Sequence, residues 1–217
     1  KNLLIFCQFD TFWRFVIYNL IVTSNVDNMK DLKVLKKEFY FGKSSVDLAR
    51  QLLGKYLVRE LENTVLIGMI TEVEVYLQND PAAHSFRGQT VRNNSLFEEA
   101  GTVYVYFTYG KHWCFNIASN KKGVGEGILI RSLKPVVGHQ VMLRNRGVSD
   151  ITQVSNGPAK VTQSYQIDKS FEGHKIWDPP LYITSDDTII DAKSIVATPR
   201  IGISQNKDAM LRFVLVE

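Results

Sequence analysis

The chain has 217 residues and a net charge of +4; hydrophobic residues make up 45% of it and charged residues 22%. A chain of this length can bury a sizeable core in one domain without help from metals or disulfides. The composition is that of an ordinary globular protein, and the mildly basic balance is compatible with a polyanionic partner without requiring one.

Cysteine and histidine usage argues against several classes of site. Two cysteines, Cys7 and Cys114, form no disulfide framework, which favours a reducing compartment. The sequence contains no CxxC pair, no HExxH helix, no dinucleotide fingerprint and no phosphate loop. The four histidines do not cluster at metal-ligand spacing; they are His84, His112, His139 and His174. We therefore predict no metal and no cofactor.

Residues 1–28 differ from the remainder of the chain. They are strongly apolar in two runs, but Asp10 and Arg14 interrupt them, which makes a poor membrane span and a poor signal peptide. We interpret them as an N-terminal extension foreign to the native protein, whose domain spans residues 29–217 from Met29. The alternatives are an amphipathic arm or a weak membrane anchor. We expect a protein that is not secreted, in a bacterial cytoplasm at the nucleoid or in a eukaryotic nucleus.

From Met29 onward the pattern predicts one domain. Ser44 or Ser45 caps a helix that ends at Gly54, and strands follow at 56–61 and 65–76. A loop at 77–92 leads to a short helix at 93–100, a hairpin of strands 102–109 and 113–119, and a strand at 127–133 closed by Pro135. Helices at 138–146 and 158–165 precede short strands at 181–184, 194–197 and 212–216. We predict an α+β fold: a curved, mostly antiparallel β-sheet flanked by helices, with a protruding β-hairpin.

Two carboxylates and a phenol share one face of the second strand. Because strand side chains alternate, Glu72, Glu74 and Tyr76 point one way, while Val73 and Val75 point the other. Taken alone, a Glu-x-Glu strand is more often a solvated acidic face than a catalytic site.

The hairpin strengthens the case for a binding site. Tyr104 and Tyr106 share a face of one strand, and His112, Cys114 and Asn116 share a face of the other. Aromatic rings beside an amide suit a flat nucleobase, although tyrosines on strands are also ordinary core residues.

A further aromatic residue, Tyr109, lies at the tip of the hairpin, beside Gly110 and Lys111. An exposed ring next to a basic residue can wedge into a base stack.

Seven segments that follow one another along the chain form a recognisable set. They are EVEVY at residues 72–76, AAHS at 82–85, TVRN at 90–93, GTVYVYFTYG at 101–110, ILIRSLKP at 128–135, NGPAK at 156–160 and PRIG at 199–202. In this order they resemble the motifs of the alkyladenine (3-methyladenine) DNA glycosylase family. The resemblance covers residues 39–213, and one departure is QNDP at 78–81, where the family has a proline- and glutamate-rich stretch. Several motifs at compatible spacing are more specific than any single one.

The resemblance implies a role for each matching residue in the chemical step. Glu74 corresponds to the carboxylate that deprotonates the attacking water. Arg131 corresponds to an arginine that holds this water, with the backbone carbonyl of Ile201 as a third contact. Glu72 has no catalytic counterpart, and we expect a structural role for it.

The resemblance also implies how the base is bound. Tyr76, His84 and Tyr106 correspond to residues that sandwich and identify the flipped base. Asn116 corresponds to the residue that crowds the exocyclic amino group of normal guanine, and Tyr109 to the wedge that fills the gap in the duplex.

The implied function is a monofunctional DNA glycosylase of base excision repair. It would act as a monomer on double-stranded DNA and excise alkylated purines without a lyase step; whether deaminated purines are also substrates stays open from the sequence. Two alternatives stay open from the sequence. One is a carbohydrate glycosidase that uses Glu72 and Glu74 as its pair; the other is a non-catalytic nucleic-acid module, because the family fold resembles the C-terminal domain of methionyl-tRNA formyltransferases.

Overall fold

A computed structural model of the protein describes residues 32–108 and 110–216. The predicted extension at residues 1–28 and the predicted wedge Tyr109 lie outside the described residues. The strands are β1 Lys33–Val34, β2 Tyr56–Leu61, β3 Thr64–Tyr76, β4 Val103–Thr108, β5 His112–Ala118, β6 Gly127–Val137, β7 Leu181–Ser185, β8 Ile195–Thr198 and β9 Arg212–Leu215. The α-helices are α1 Ser45–Leu52, α2 His139–Arg146 and α3 Pro158–Tyr165.

Nine strands form one antiparallel sheet. Its order is β1-β7-β2-β3-β6-β5-β4, while β9 pairs with β3 and β8 pairs with β9. The 13-residue strand β3 is the centre of this arrangement, because β2 and then β9 pair along one of its edges and β6 pairs along the other. The predicted α+β fold with a mostly antiparallel sheet is therefore confirmed.

The first helix shows how local sequence fixes the core. The hydroxyl oxygen of Ser44 accepts a hydrogen bond from the backbone N–H of Asp47 at 3.1 Å, as an N-cap should. Leu48, Ala49 and Leu52 are completely buried in the main hydrophobic cluster. Gly54 then adopts the left-handed conformation with φ of +78°, which ends the helix where the sequence predicted.

The hairpin of β4 and β5 has one core face and one polar face. Tyr104 pairs with Asn116 and Tyr106 pairs with Cys114, and directly opposed residues point to the same side of an antiparallel sheet. On the other side, Val103, Val105 and Phe115 are fully buried. The predicted grouping of the tyrosines with Cys114 and Asn116 is confirmed.

Two predicted boundaries are wrong. The strand expected to close at Pro135 continues to Val137, because Pro135 lies opposite Gly68 at an irregularity in the pairing of β3 with β6. A proline is tolerated at such a bulge, since it cannot donate to a regular ladder. The helix expected at 93–100 is only a 3-10 turn, Asn94–Phe97.

The remaining single turns of 3-10 helix lie in connections. They are Lys37–Tyr40, Ile151–Gln153, Lys169–Phe171 and Ala192–Ser194. Within residues 32–108 and 110–216, no helix has both the length and the apolar character that crossing a membrane requires.

Candidate active site

The carboxylate of Glu74 is fully buried and bound by three donors. The Tyr76 hydroxyl donates to its Oε2 at 2.8 Å, and Arg131 Nη1 lies 3.1 Å from the same oxygen. The backbone N–H of Ile201 donates to its Oε1 at 2.8 Å. An ionised carboxylate has about four acceptor positions, so these partners leave about one free on Oε1. The orientation of Glu74 is therefore fixed, with capacity for one more donor.

Arg131 on β6 bridges the two carboxylates of β3. Its Nε donates to Glu72 Oε1 at 2.9 Å, while its Nη1 faces Glu74. Burial alone would lower the pKa of Arg131, but the negative charges of Glu74 and Glu72 outweigh this and raise it. The same Glu72 oxygen also accepts from Arg212 Nη1 at 2.8 Å. Glu72 is thus occupied by two guanidinium groups.

A cavity of about 470 Å³ opens in front of this cluster. Its walls include six of the residues predicted from the sequence: Tyr76, His84, Tyr106, Asn116, Arg131 and Ile201. Glu74 does not line the cavity, but all three of its hydrogen-bond partners do. The carboxylate therefore lies immediately behind the cavity wall.

Aromatic rings form one side of the cavity. The His84 ring meets the Tyr106 ring edge-on, with centroids 4.5 Å apart and an angle of 75° between planes. Tyr104 stacks on Tyr106 at 5.6 Å and 28°, and its hydroxyl lies 3.0 Å from His84 Nδ1. Rings in mutual contact hold one another in place, so they offer a preformed surface for a flat ligand.

The surroundings of the cavity favour the neutral forms of its imidazole and its phenols. Burial, and secondarily the charge of Arg92, lowers the pKa of His84. Burial raises the pKa of Tyr104 to about 12 and raises the pKa of Tyr76 and Tyr106 further. At neutral pH the phenols therefore keep their protons, and the Tyr76 hydroxyl remains a donor to Glu74.

Asn116 and Cys114 on β5 contribute the polar part of the cavity floor. Asn116 is buried, and its Nδ2 donates weakly to the Tyr104 carbonyl at 3.4 Å. Burial raises the pKa of the Cys114 thiol, which keeps it protonated and unreactive.

The loop between β3 and β4 places His84. The side chain of Asn93 is buried, and its Nδ2 donates to the carbonyls of His84 at 2.9 Å and Gly88 at 3.1 Å. Its Oδ1 accepts from the backbone N–H of Thr90 at 2.6 Å. The side-chain amide of Asn93 therefore holds the backbone between His84 and Thr90 in place.

Two buried residues beside the cavity, Asn93 and Arg200, were not predicted from the sequence. Asn93 belongs to the TVRN segment, and Arg200 belongs to the PRIG segment, so motif membership was the available signal. For Ile201, the sequence predicted a role for the backbone carbonyl, whereas the structure shows the N–H bound to Glu74; the carbonyl contact stays a prediction.

These features define a class of protein: an antiparallel α+β enzyme with a buried carboxylate behind an aromatic cavity. Comparison with known sequences gives the family. The sequence model of the methylpurine-DNA glycosylase family matches residues 39–217, and the chain belongs to this family. The protein is a hydrolase that acts on the N-glycosyl bond of alkylated bases in DNA.

Similar proteins come from bacteria and an archaeon, and they share the printed name "Putative 3-methyladenine DNA glycosylase". One from Francisella tularensis is 43% identical over 79% of this chain and 90% of its own length. One from Carboxydothermus hydrogenoformans is 43% identical over 84% of this chain and 95% of its own. One from Methanoculleus marisnigri is 42% identical over 81% and 92%.

Proposed function

We propose that the protein excises 3-methyladenine-type purines from duplex DNA, by flipping the damaged nucleotide into the cavity and hydrolysing its glycosidic bond with water activated by Glu74. The observation that carries this proposal is the buried, triply bound Glu74 directly behind an aromatic cavity. A damaged base must leave the stack before its glycosidic bond can be reached, and unstacking costs a few kcal/mol, least for a weakened pair.

The cavity suits an extruded purine. Its volume of about 470 Å³ lies within the usual range for small-molecule sites. The rings of Tyr76, His84 and Tyr106 provide stacking surfaces, and a purine that carries a positive charge from alkylation stacks on them more strongly than a neutral one. Outside the described residues, Tyr109 at the hairpin tip is the proposed wedge that fills the vacated space in the duplex.

Glu74 is the proposed general base. Arg131 and Ile201 line the cavity and also bind the carboxylate, so a water held by them lies within reach of Glu74. The carbonyl of Ile201 is the proposed third contact of this water. As the glycosidic bond breaks through an oxocarbenium-like state, the activated water attacks the sugar carbon. A positioned general base contributes about 10²–10⁴-fold.

The protonation states favour charged lesions over neutral ones. An alkylated purine leaves without added protons, but a deaminated base such as hypoxanthine needs protonation on departure. Because the pKa values of Tyr76, Tyr104 and Tyr106 are raised, these phenols are poor acids at neutral pH. Deaminated purines are therefore slower substrates.

Asn116 crowds the exocyclic amino group of guanine and so protects the normal base.

The proposed reaction proceeds without a lyase step. A Schiff-base route needs an amine in the pocket, and among the described residues no lysine lines the cavity. Hydrolysis therefore leaves an abasic site in an intact strand.

The test is free-base release from a duplex with one alkylated purine, under single-turnover conditions. Glu74→Gln keeps the shape of the side chain but removes the base, so release falls by at least about 10²-fold while damaged DNA still binds. Glu60→Gln is the matched control, because Glu60 is also a strand glutamate that accepts from a tyrosine hydroxyl, Tyr182 at 2.8 Å, and does not line the cavity.

The same assay separates the alternatives. Near-native release by Glu74→Gln would remove Glu74 from the mechanism. Salt-sensitive DNA binding without any release by the folded wild type would favour the non-catalytic module. A strand that breaks without alkali, or a borohydride-trapped adduct, would contradict simple hydrolysis. Cleavage of a methyl glucoside would favour the carbohydrate glycosidase, which the occupation of Glu72 by Arg131 and Arg212 disfavours.

A further inference from the structure

Arg200 is a buried cation that the mechanism above does not use. Its side chain is completely buried, and its Nη2 lies 2.5 Å from Oδ2 of Asp80, which is 2% exposed. Its Nη1 donates to the carbonyl of Val75 at 3.0 Å. Its Cζ lies over the ring of Tyr76, 4.7 Å from the ring centroid. Arg200 does not line the cavity, whereas Tyr76 does, so Arg200 covers the side of the Tyr76 ring that is turned away from the cavity.

These contacts link three parts of the site. Val75 and Tyr76 end the strand that carries Glu74. Asp80 begins the turn that leads to His84, and its Oδ1 accepts from the backbone N–H of Ala82 at 2.9 Å. Ile201, the next residue after Arg200, donates its N–H to Glu74. A single guanidinium therefore ties the stacking ring, the turn that leads to His84 and the backbone donor of Glu74 to one another.

Stability alone is a weak explanation for this arrangement. Desolvating two charges costs about as much as their attraction returns, so a buried ion pair is poor evidence for a stabilising role. Moreover, Nε of Arg200 is buried and has no hydrogen-bond partner among the described residues. A buried polar atom left unsatisfied needs another reason to be retained.

We propose that Arg200 is a positioning residue, which holds the Tyr76 ring, the 77–84 turn and the Ile201 N–H in the geometry that the chemical step requires. The proposal rests on the function proposed for Glu74 and Tyr76. It requires Arg200 to affect the rate of the chemical step more than the affinity for DNA, because Arg200 reaches neither the cavity nor the solvent.

The test compares Arg200→Lys with the double variant Arg200→Met, Asp80→Asn. The double variant removes both charges and leaves no uncompensated ion, so it is the form expected to fold even if a single substitution does not. Arg59→Met is the matched control, because Arg59 also lies over a ring, that of Phe171 at 4.8 Å, and does not line the cavity.

Two readouts decide the outcome. Single-turnover base release should fall by about 10²-fold in the double variant, which is the scale of a misplacement of about 1 Å, with undamaged-duplex affinity unchanged. The release rate of Arg200→Lys should lie between those of the double variant and wild type, and Arg59→Met should match wild type.

The second readout is amide exchange by NMR. The Ile201 amide should exchange faster with solvent in the double variant, relative to the core amides of Val73 and Ile130.

The failures are distinguishable. Wild-type release rates in both Arg200 variants, with the Ile201 amide still protected, would overturn the positioning role and leave the proposed function standing. A slow double variant whose Ile201 amide loses protection only in step with Val73 and Ile130 would reduce Arg200 to a structural residue. If wild type itself releases no base, the proposed function fails, and the exchange of the Ile201 amide still decides whether Arg200 holds this backbone donor.

Discussion

The imidazole of His84 faces the cavity from a crowded position. Its ring contacts Tyr104 and Tyr106, and burial followed by the charge of Arg92 lowers its pKa. We expect an NMR titration to place the ring below the usual value of about 6.5. Arg92→Gln should move the pKa upward, since it removes the second cause and leaves the first. A His84 ring that titrates above the usual value would contradict this account.

The lowered pKa also has a consequence for stability. The unfolded chain binds a proton on this ring at a higher pH than the folded protein does. The contribution of neutral His84 to folding is therefore fully present above about pH 6.5 and is lost as the pH falls through the folded pKa. When the pH is lowered, the free energy of unfolding should fall more in wild type than in His84→Gln, as measured by urea unfolding at each pH.

The face of the sheet on which a side chain lies was predictable where the residue belongs to a strand, because strand side chains alternate. Glu74 and Tyr76 share a face because they lie two positions apart on β3, and the hydrogen bond between them follows. Arg200 gave no comparable signal: its partner Asp80 is 120 positions away in the chain, and no periodicity relates two loops. For the same reason, sequence could not show which backbone atom of Ile201 faces Glu74.

Among the connecting elements, the turn held by Asn93 is the most dependent on one side chain. Asn93→Ala would remove three hydrogen bonds from the turn, two to carbonyls and one from an N–H. We expect the free energy of unfolding to fall by roughly 1–3 kcal/mol, since each intramolecular hydrogen bond contributes about 0.5–1.5 kcal/mol and water can reach these partly exposed groups. Urea denaturation measures the change, and base release should fall as well, because the turn carries His84.

The adjacent residue provides the control. Asn94 is exposed, and its Oδ1 accepts from Gln89 Nε2 at 2.6 Å. Asn94→Ala should change the unfolding free energy by less than about 0.5 kcal/mol, as surface substitutions do. Equal losses in the two variants would show that the turn does not depend on Asn93.

Elements with strong local signals were predicted well, and those set by distant contacts were not. The helix α3 begins at Pro158 and ends at Tyr165 as expected, since Pro at the first turn is a local signal. The two-residue strand β1 is too short to show alternation and exists only through pairing with β7. The extension of β6 past Pro135 depends on the bulge with β3, which no local pattern reveals.

At the scale of the whole molecule, several basic side chains that contact phosphates together should make the binding of DNA weaken steeply with salt. The candidate phosphate contacts are basic side chains of the predicted DNA-binding domain: Arg87, Arg92, Lys111, Lys121, Lys122, Arg144, Arg146 and Lys160. Two of them differ in their surroundings. Lys111 is exposed at the hairpin turn, whereas Lys122 forms an ion pair with Glu98 at 3.1 Å.

Lys111→Gln should therefore lower the slope of log affinity against log salt by about 1, the change expected for one lost phosphate contact. Lys122→Gln should lower it less, because Glu98 already offsets its charge. Fluorescence anisotropy with an undamaged duplex over a salt series measures both slopes. A larger change in Lys122→Gln than in Lys111→Gln would reverse this assignment.

The proposed general base and most of the side chains proposed to contact the base lie on different parts of the sheet. Glu74 lies on a strand that pairs on both edges, with β9 on one side and β6 on the other. Most of the side chains proposed to contact the base lie instead on the hairpin of β4 and β5 or on the loop that carries His84. Residues on a doubly paired strand should open to solvent least often. The hairpin, which is not linked to Glu74 through Arg200, can accept substitutions with little effect on that strand. A lineage could therefore change which lesions it removes, through mutations in the hairpin, while inheriting the chemical step unaltered.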